Sequence, residues 1–210
     1  MTTTFIFDFD MTLVDSIFAV TRGLNRIARH FNLPPVTESE TRRVMSLETK
    51  DFWTTLWGRY EAAWSEYFVA EVAGREANYL EIVPGAEAML AELNAKGAAL
   101  ALATNRGNAW AALSSTGLSR YFDAAVGAND VARGKPAPDM LYLAMDRLKT
   151  DPGQAIYIGD AVYDMQAARA AGIKGLGLLQ AGASAEELTA AGAWKIRATL
   201  IEARDLLELS

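Results

Sequence analysis

Short apolar runs punctuate this chain and limit its architecture more than anything else in it. They are Phe5 to Phe7, Ala99 to Ala103, Ala124 to Val126, Ala155 to Ile158 and Leu176 to Leu179, with a weaker one around Trp194 to Ile196. The first five contain no charged residue, and each has Gly, Asp or Asn at or near an end. Strands of that kind are buried on both faces, which suits a parallel sheet better than a half-solvated antiparallel one.

The segments between several of these runs carry helical patterns with readable ends. Pro84-Gly85 leads into Ala86, Met89, Leu90 and Leu93 at helical spacing, and Gly97 follows as a stop. Pro138-Asp139 opens a second helix through Leu141, Ala144, Met145 and Leu148. Ser184 and Glu187 have capping-box spacing, and Gly192 closes that helix. Strand–helix alternation predicts an α/β fold, a Rossmann-like parallel sheet joined by right-handed crossovers.

Residues 16–79 differ. They hold no convincing strand. Ile17, Val20, Leu24, Ile27 and Phe31 recur at spacings of 3 and 4, an amphipathic helix, and Trp53, Trp57, Trp64, Tyr67 and Phe68 continue the helical reading. The expectation is an all-α cap domain at 16–79, inserted into an α/β core made of 1–15 and 80–210. The apolar share, 51%, is ample for both cores.

Net charge is −6 and the sequence pI about 4.9, with no Lys/Arg run, which argues against a nucleic-acid partner. There is no cysteine, hence neither disulfide nor thiolate metal site. No apolar stretch approaches a membrane span, and the start, MTTTFIFDFD, lacks a basic leader; a cytoplasmic location with no membrane partner is expected.

Polar clusters close four of the runs. They are Asp8-Phe9-Asp10-Met11-Thr12, then Thr104-Asn105, then Lys135, then Gly159-Asp160 with Asp164. Singly, each has a plainer reading: Asp and Thr cap helices, Asn turns the chain, a lone Lys is solvated. Together they sit at the carboxyl edge of the sheet, where open α/β folds bind ligands. Asp8, Asp10, Asp160 and Asp164 in one place would repel one another unless a cation joined them. Oxygen donors without His or Cys favour Mg²⁺ over Zn²⁺. Four carboxylates, a divalent cation and Lys135 leave about one negative charge before any anionic ligand arrives.

These motifs resemble the haloacid dehalogenase (HAD) superfamily, and within it the capped phosphatases of the phosphoglycolate phosphatase type. DFDMTLVDS (8–16), ATN (103–105), GKPAPD (134–139) and GDAVYDMQAARAAG (159–172) carry the resemblance in order along the chain. It implies a phosphatase acting on a small phosphorylated metabolite through an aspartyl-phosphate. Asp8 would be nucleophile and Mg²⁺ ligand; Asp10 the general acid/base, its backbone carbonyl also on the metal. Thr104 and the Asn105 N–H would hold phosphoryl oxygens, and Lys135 would neutralise charge between Asp8 and phosphate. Asp160 would ligate Mg²⁺ and Asp164 would act beside it or through water. Met11 stands where many relatives have Gly and implies a turn with negative φ.

The same motifs fit a phosphomutase or pyrophosphatase. A receiver-like signalling module is the rival of another class, though it needs neither an acid pair after the first strand nor a helical insertion. Oligomeric state stays open. Arg42, Arg43 and Lys50 are candidates to meet a substrate's leaving group. Lys50 resembles the Schiff-base lysine of phosphonatases, without a matching setting. His30 reads as a helix-end residue and the insertion's tryptophans as core.

Overall fold

The computed structural model describes residues 3–45, 47–73, 75 and 79–204. In chain order its strands are β1 (Thr4–Phe7), β2 (Val14–Asp15), β3 (Glu81–Ile82), β4 (Ala99–Ala103), β5 (Ala124–Val126), β6 (Ala155–Gly159), β7 (Lys174–Leu178) and β8 (Lys195–Arg197). Six form one sheet, ordered β5-β4-β1-β6-β7-β8, with every pairing parallel. Each expected run is therefore a strand. Four start or end a little differently, because Thr4 pairs with Ala99, Gly159 with Gly177, Lys174 with Ile156 and Arg197 with Leu178. Backbone pairing, which apolarity does not report, sets those ends.

Alternate residues of each strand feed opposite cores. Phe5, Phe7, Leu100, Leu102, Ile156 and Ile158 pack on one face with Met89, Leu90 and Leu93 of α5 (Ala86–Ala95) and Leu113 of α6 (Ala109–Thr116). Ile6, Ala101, Ala103 and Tyr157 face the other way, against α7 (Asp139–Leu148) and α8 (Val162–Ala171). The small residues of β4 on that side let α7 approach closely. Burying each Phe or Leu contributes roughly 1.5–3 kcal/mol, so this two-sided core dominates stability. The last helix, α9 (Ala185–Ala191), has the expected Ser184–Glu187 capping box and ends at Gly192.

Between β2 and β3 the described residues are helical: α1 (Ile17–Phe31), α2 (Glu38–Val44), α3 (Thr49–Trp57) and α4 (Ala62–Tyr67), the last extended by a π turn over Phe68–Val72. Positions 46, 74 and 76–78 of the expected 16–79 cap lie outside the described residues. These helices share a separate core of Val20, Leu24, Ile27, Val36, Trp53, Trp64 and Val72. The tryptophans are core, as expected, and His30 is exposed in the last turn of α1, stacked on Tyr67 at 4.3 Å. Both chain crossings are tied as an antiparallel ribbon, Val14 opposite Ile82 and Asp15 opposite Glu81. Two-residue strands are too short to leave a pattern in sequence. Among the described residues no helix is long and apolar enough to cross a membrane.

Candidate active site

The site begins where β1 stops. The Asp8 N–H donates to Ile158 O (2.8 Å) and the Thr104 N–H to Val126 O (3.0 Å), so the ladder runs one residue past each strand. That brings the polar ends level at the middle of the sheet, where the chain turns from β1 towards β4 and later returns to β6. After Asp8 the chain folds into a tight turn in which Leu13 and Val14 N–H both donate to Phe9 O. Met11 has φ +57° in this turn, contrary to the negative φ expected. The left-handed conformation costs a non-glycine residue about 1–2 kcal/mol. Two gains offset it: the Met11 N–H donates to Val14 O at 2.7 Å, and the side chain is buried.

Four of the expected residues converge. Lys135 Nζ lies 2.6 Å from Asp8 Oδ1 and 2.8 Å from Asp164 Oδ1, and donates to Tyr157 Oη (2.8 Å) and Ala103 O (3.2 Å). Its side chain is 1% exposed, so no water competes for these partners. One carboxylate oxygen from each of Asp8, Asp160 and Asp164 lies within 4.8 Å of the others, all three residues buried. Asp160 Oδ1 accepts from Thr12 Oγ1 at 2.9 Å. Asp164 Oδ2 accepts from the Ala161 N–H at 3.0 Å, closing the first turn of α8, while Tyr157 Oη lies 3.0 Å from Asp164 Oδ1. With both oxygens engaged, Asp164 orients its neighbours more than it offers free lone pairs. Gly159 is required here: a Cβ would stand 2.5 Å from Asp164 Oδ2.

Burial, with the charges of Asp164 and Asp10, pushes the Asp8 carboxyl up to about 7 against the pull of Lys135. Burial and the charges of Asp164 and Asp8 drive Asp160 well above the usual carboxylate range. Burial alone would lower Lys135, but the carboxylates of Asp164 and Asp8 outweigh it and hold the ammonium above its ordinary value. Two buried acids raised by burial and by neighbouring carboxylates, with oxygen donors alone, match the demands of a hard divalent cation, whose charge reverses such shifts. The residues present fit Mg²⁺.

Asp10 stands apart from this cluster. Its two oxygens accept from Arg106 Nε (2.8 Å) and Nη2 (2.7 Å). Burial would raise this carboxyl, but the Arg106 guanidinium outweighs it and holds the group below the usual range. Thr104 is buried, and its Oγ1 accepts from the Arg106 N–H at 3.2 Å. The Asn105 side chain grips the Lys135 backbone, Oδ1 accepting from the Lys135 N–H at 3.0 Å, so its side chain positions the lysine loop. Sequence reasoning missed Arg106, Tyr157 and Thr12. Arg106 directly follows ATN and Thr12 lies inside the first motif, so proximity could have flagged both; Tyr157 reads as an ordinary strand residue.

A cavity of about 280 Å³ opens beside the cluster, between Leu47 to Lys50 of the helical block and Asn105, Lys135 and Tyr163 of the sheet edge. Lys50 lines it. Arg42 points elsewhere, donating to Gln180 O (3.2 Å) and pairing with Asp15 Oδ2 (3.4 Å).

A parallel sheet that carries an acid pair after its central strand, and a buried lysine among carboxylates beside it, defines an α/β enzyme with its polar groups gathered at one sheet edge. Residues 5–178 match the haloacid dehalogenase-like hydrolase family, and the chain belongs to it. It is 32% identical over 202 residues to a phosphoglycolate phosphatase of Rhodospirillum rubrum, covering 90% of this chain and 83% of that one. A plasmid-borne phosphoglycolate phosphatase of Cupriavidus necator is also 32% identical, over 81% and 78%. A crystal structure of a hydrolase from Pseudomonas syringae superposes with a TM-score of 0.79 at 26% identity, over 99% and 98%.

Proposed function

We propose that the protein is a Mg²⁺-dependent phosphatase of small phosphorylated metabolites, phosphoglycolate-like or sugar phosphates, acting through an aspartyl-phosphate on Asp8. The observation that carries this reading is Lys135 Nζ against Asp8 Oδ1 at 2.6 Å within the buried carboxylate cluster. Asp8, Asp160, the Asp10 backbone carbonyl and, directly or through water, Asp164 would hold Mg²⁺, which supplies the positive charge that lets a carboxylate approach a phosphate dianion. Lys135 adds the rest. Thr104 and the Asn105 N–H hold phosphoryl oxygens.

In the first step an Asp8 oxygen forms a bond to phosphorus and the ester P–O bond breaks, its electron pair leaving with the alkoxide. Asp10, protonated at that moment, gives that oxygen its proton and is left as the carboxylate for the next step. In the second step a water oxygen attacks the same phosphorus, Asp10 takes the water's proton, and the P–O bond to Asp8 breaks to release phosphate. Residues 16–79 serve as a cap over the reaction, and their own core and the shared cavity support that role. Lys50 then meets the leaving group, and the protein is cytoplasmic and acts without nucleic acid or membrane.

Mass spectrometry after rapid acid quench, during turnover of a phosphate ester, tests the reading. Phosphate on the Asp8 peptide and stoichiometric free phosphate in solution are expected. Free phosphate released with inversion of configuration at a chirally labelled phosphorus, and no phosphate trapped on the Asp8 peptide at any quench time, would remove the covalent step; recovery of an isomerised ester without free phosphate would make the enzyme a mutase.

A further inference from the structure

Arg106 is a cation at the sheet edge that the reaction above leaves without a task. Its guanidinium meets Asp10 in a fork, Nε and Nη2 each donating to a different oxygen, at 2.8 and 2.7 Å. The fork is itself held. The guanidinium carbon lies 5.2 Å from the Phe9 ring centre, over its face. The Arg106 N–H donates to Thr104 Oγ1 (3.2 Å), and its carbonyl accepts from the Ala128 N–H (2.8 Å). Both ends of the residue are therefore anchored, and a planar fork on a planar carboxylate defines one orientation.

A carboxylate offers about four lone-pair sites, and the fork uses two of them. The remaining ones can accept from water. With both oxygens gripped, Asp10 is arranged to receive a proton, which is its task in the second step. We infer that Arg106 is a positioning residue which holds Asp10 for the attack of water on the aspartyl-phosphate. The inference rests on the proposed role of Asp10. Arg106 acts through that side chain, so its contribution vanishes when Asp10 cannot perform it. A direct clamp on the phosphate, the competing use of an arginine here, would act independently of Asp10.

The test uses the full chain with Mg²⁺ and a nitrophenyl phosphate, whose leaving group needs little acid assistance. Rapid quench separates formation of the phosphoenzyme from its decay in wild type, Arg106→Gln, Arg106→Lys, Asp10→Asn and the Asp10→Asn/Arg106→Gln double variant. A misplaced catalytic group costs on the order of 10²-fold, so decay in Arg106→Gln should slow by about 10–100-fold while formation and KM change little. Arg106→Lys should recover only part of this, because an ammonium donates from a point and not as a fork. The double variant should decay at the rate of Asp10→Asn alone. Equal cost of Arg106→Gln in the wild-type and Asp10→Asn backgrounds overturns the inference, as does a raised KM with unchanged decay. Slow decay in Asp10→Asn with normal decay in both Arg106 variants removes Arg106 and leaves the function standing. Normal decay in Asp10→Asn removes both.

Discussion

The carboxyl edge of the sheet buries charge, and the helical block buries tryptophan. At the edge Asp8, Lys135, Asp160 and Asp164 are all buried; Lys135 joins Asp8 and Asp164, and Asp160 accepts from Thr12. In the block Trp53, Trp57 and Trp64 lie with ring centres 5.2–6.1 Å apart, and two indole N–H groups find Ser65 Oγ and Pro34 O. Aromatic clustering of that kind stabilises through area and favourable ring geometry. Buried like charges do the reverse, and their persistence is a mark of function. Substitutions at the edge should therefore lower turnover without a matching loss of stability, and substitutions in the block should do the opposite.

The largest effect separates the two most sharply. Asp8→Asn should reduce turnover by several orders of magnitude, since the amide is no nucleophile. Its melting temperature should move the other way in cation-free buffer. A carboxyl whose folded pKa is about 7, above its unfolded value near 4, contributes stability at low pH that is lost as pH rises through that window. The Asn variant lacks this loss, so its melting temperature should gain on wild type between about pH 4 and pH 7. Added Mg²⁺ should close the gap. A gap that is flat with pH would contradict the charge burden at the edge.

Chelation follows in size. Excess chelator should abolish turnover and Mg²⁺ restore it, while Ca²⁺, which accepts more oxygen ligands, should inhibit by engaging both oxygens of Asp8. Phosphate release and the melting temperature, followed together across a Mg²⁺ titration, check this; full activity in chelator would contradict it.

On the other side of the comparison, Trp64→Ala should destabilise the block by roughly 3–5 kcal/mol, the usual cost of emptying a large aromatic site. Hydrogen exchange should report that loss in α1 and α3, with β1 and β6 protected as before. Loss spread evenly over the sheet would mean that the two cores unfold as one. Tyr157→Phe is intermediate: it removes the hydroxyl between Lys135 and Asp164 and should cost about 1–3 kcal/mol, read by denaturant melts, because Lys135 Nζ loses a buried acceptor. The smallest effect is expected at Thr37→Ala, which opens the capping box of α2 for about 1 kcal/mol and leaves turnover on an aryl phosphate unchanged.

Much of the edge is legible in the chain because its polar groups stand in runs of adjacent residues. Asp8 and Asp10 follow β1, Thr104 and Asn105 follow β4, Asp160 follows β6, and each strand announces itself by an apolar stretch. Arg106 and Tyr157 escaped for different reasons. An arginine in a loop has many fates, and only the fold shows that this one crosses from β4 to the turn after β1. Tyr157 looks like a strand aromatic until its hydroxyl is placed between a lysine from another loop and an aspartate of α8.

Local pattern alone determined the six parallel strands, the helices with capped ends and the placing of a helical insertion after the first strand. Apolar periodicity and capping act over a few residues, so they survive in one dimension. Tertiary structure decided which carboxylates share a site and which is set apart. Asp8, Asp160 and Asp164 meet because β1 and β6 are neighbours, while Asp10 turns to Arg106, 96 positions away in the chain. Those choices depend on contacts between residues some hundred positions apart, and the energies that settle them exist only once the sheet is assembled.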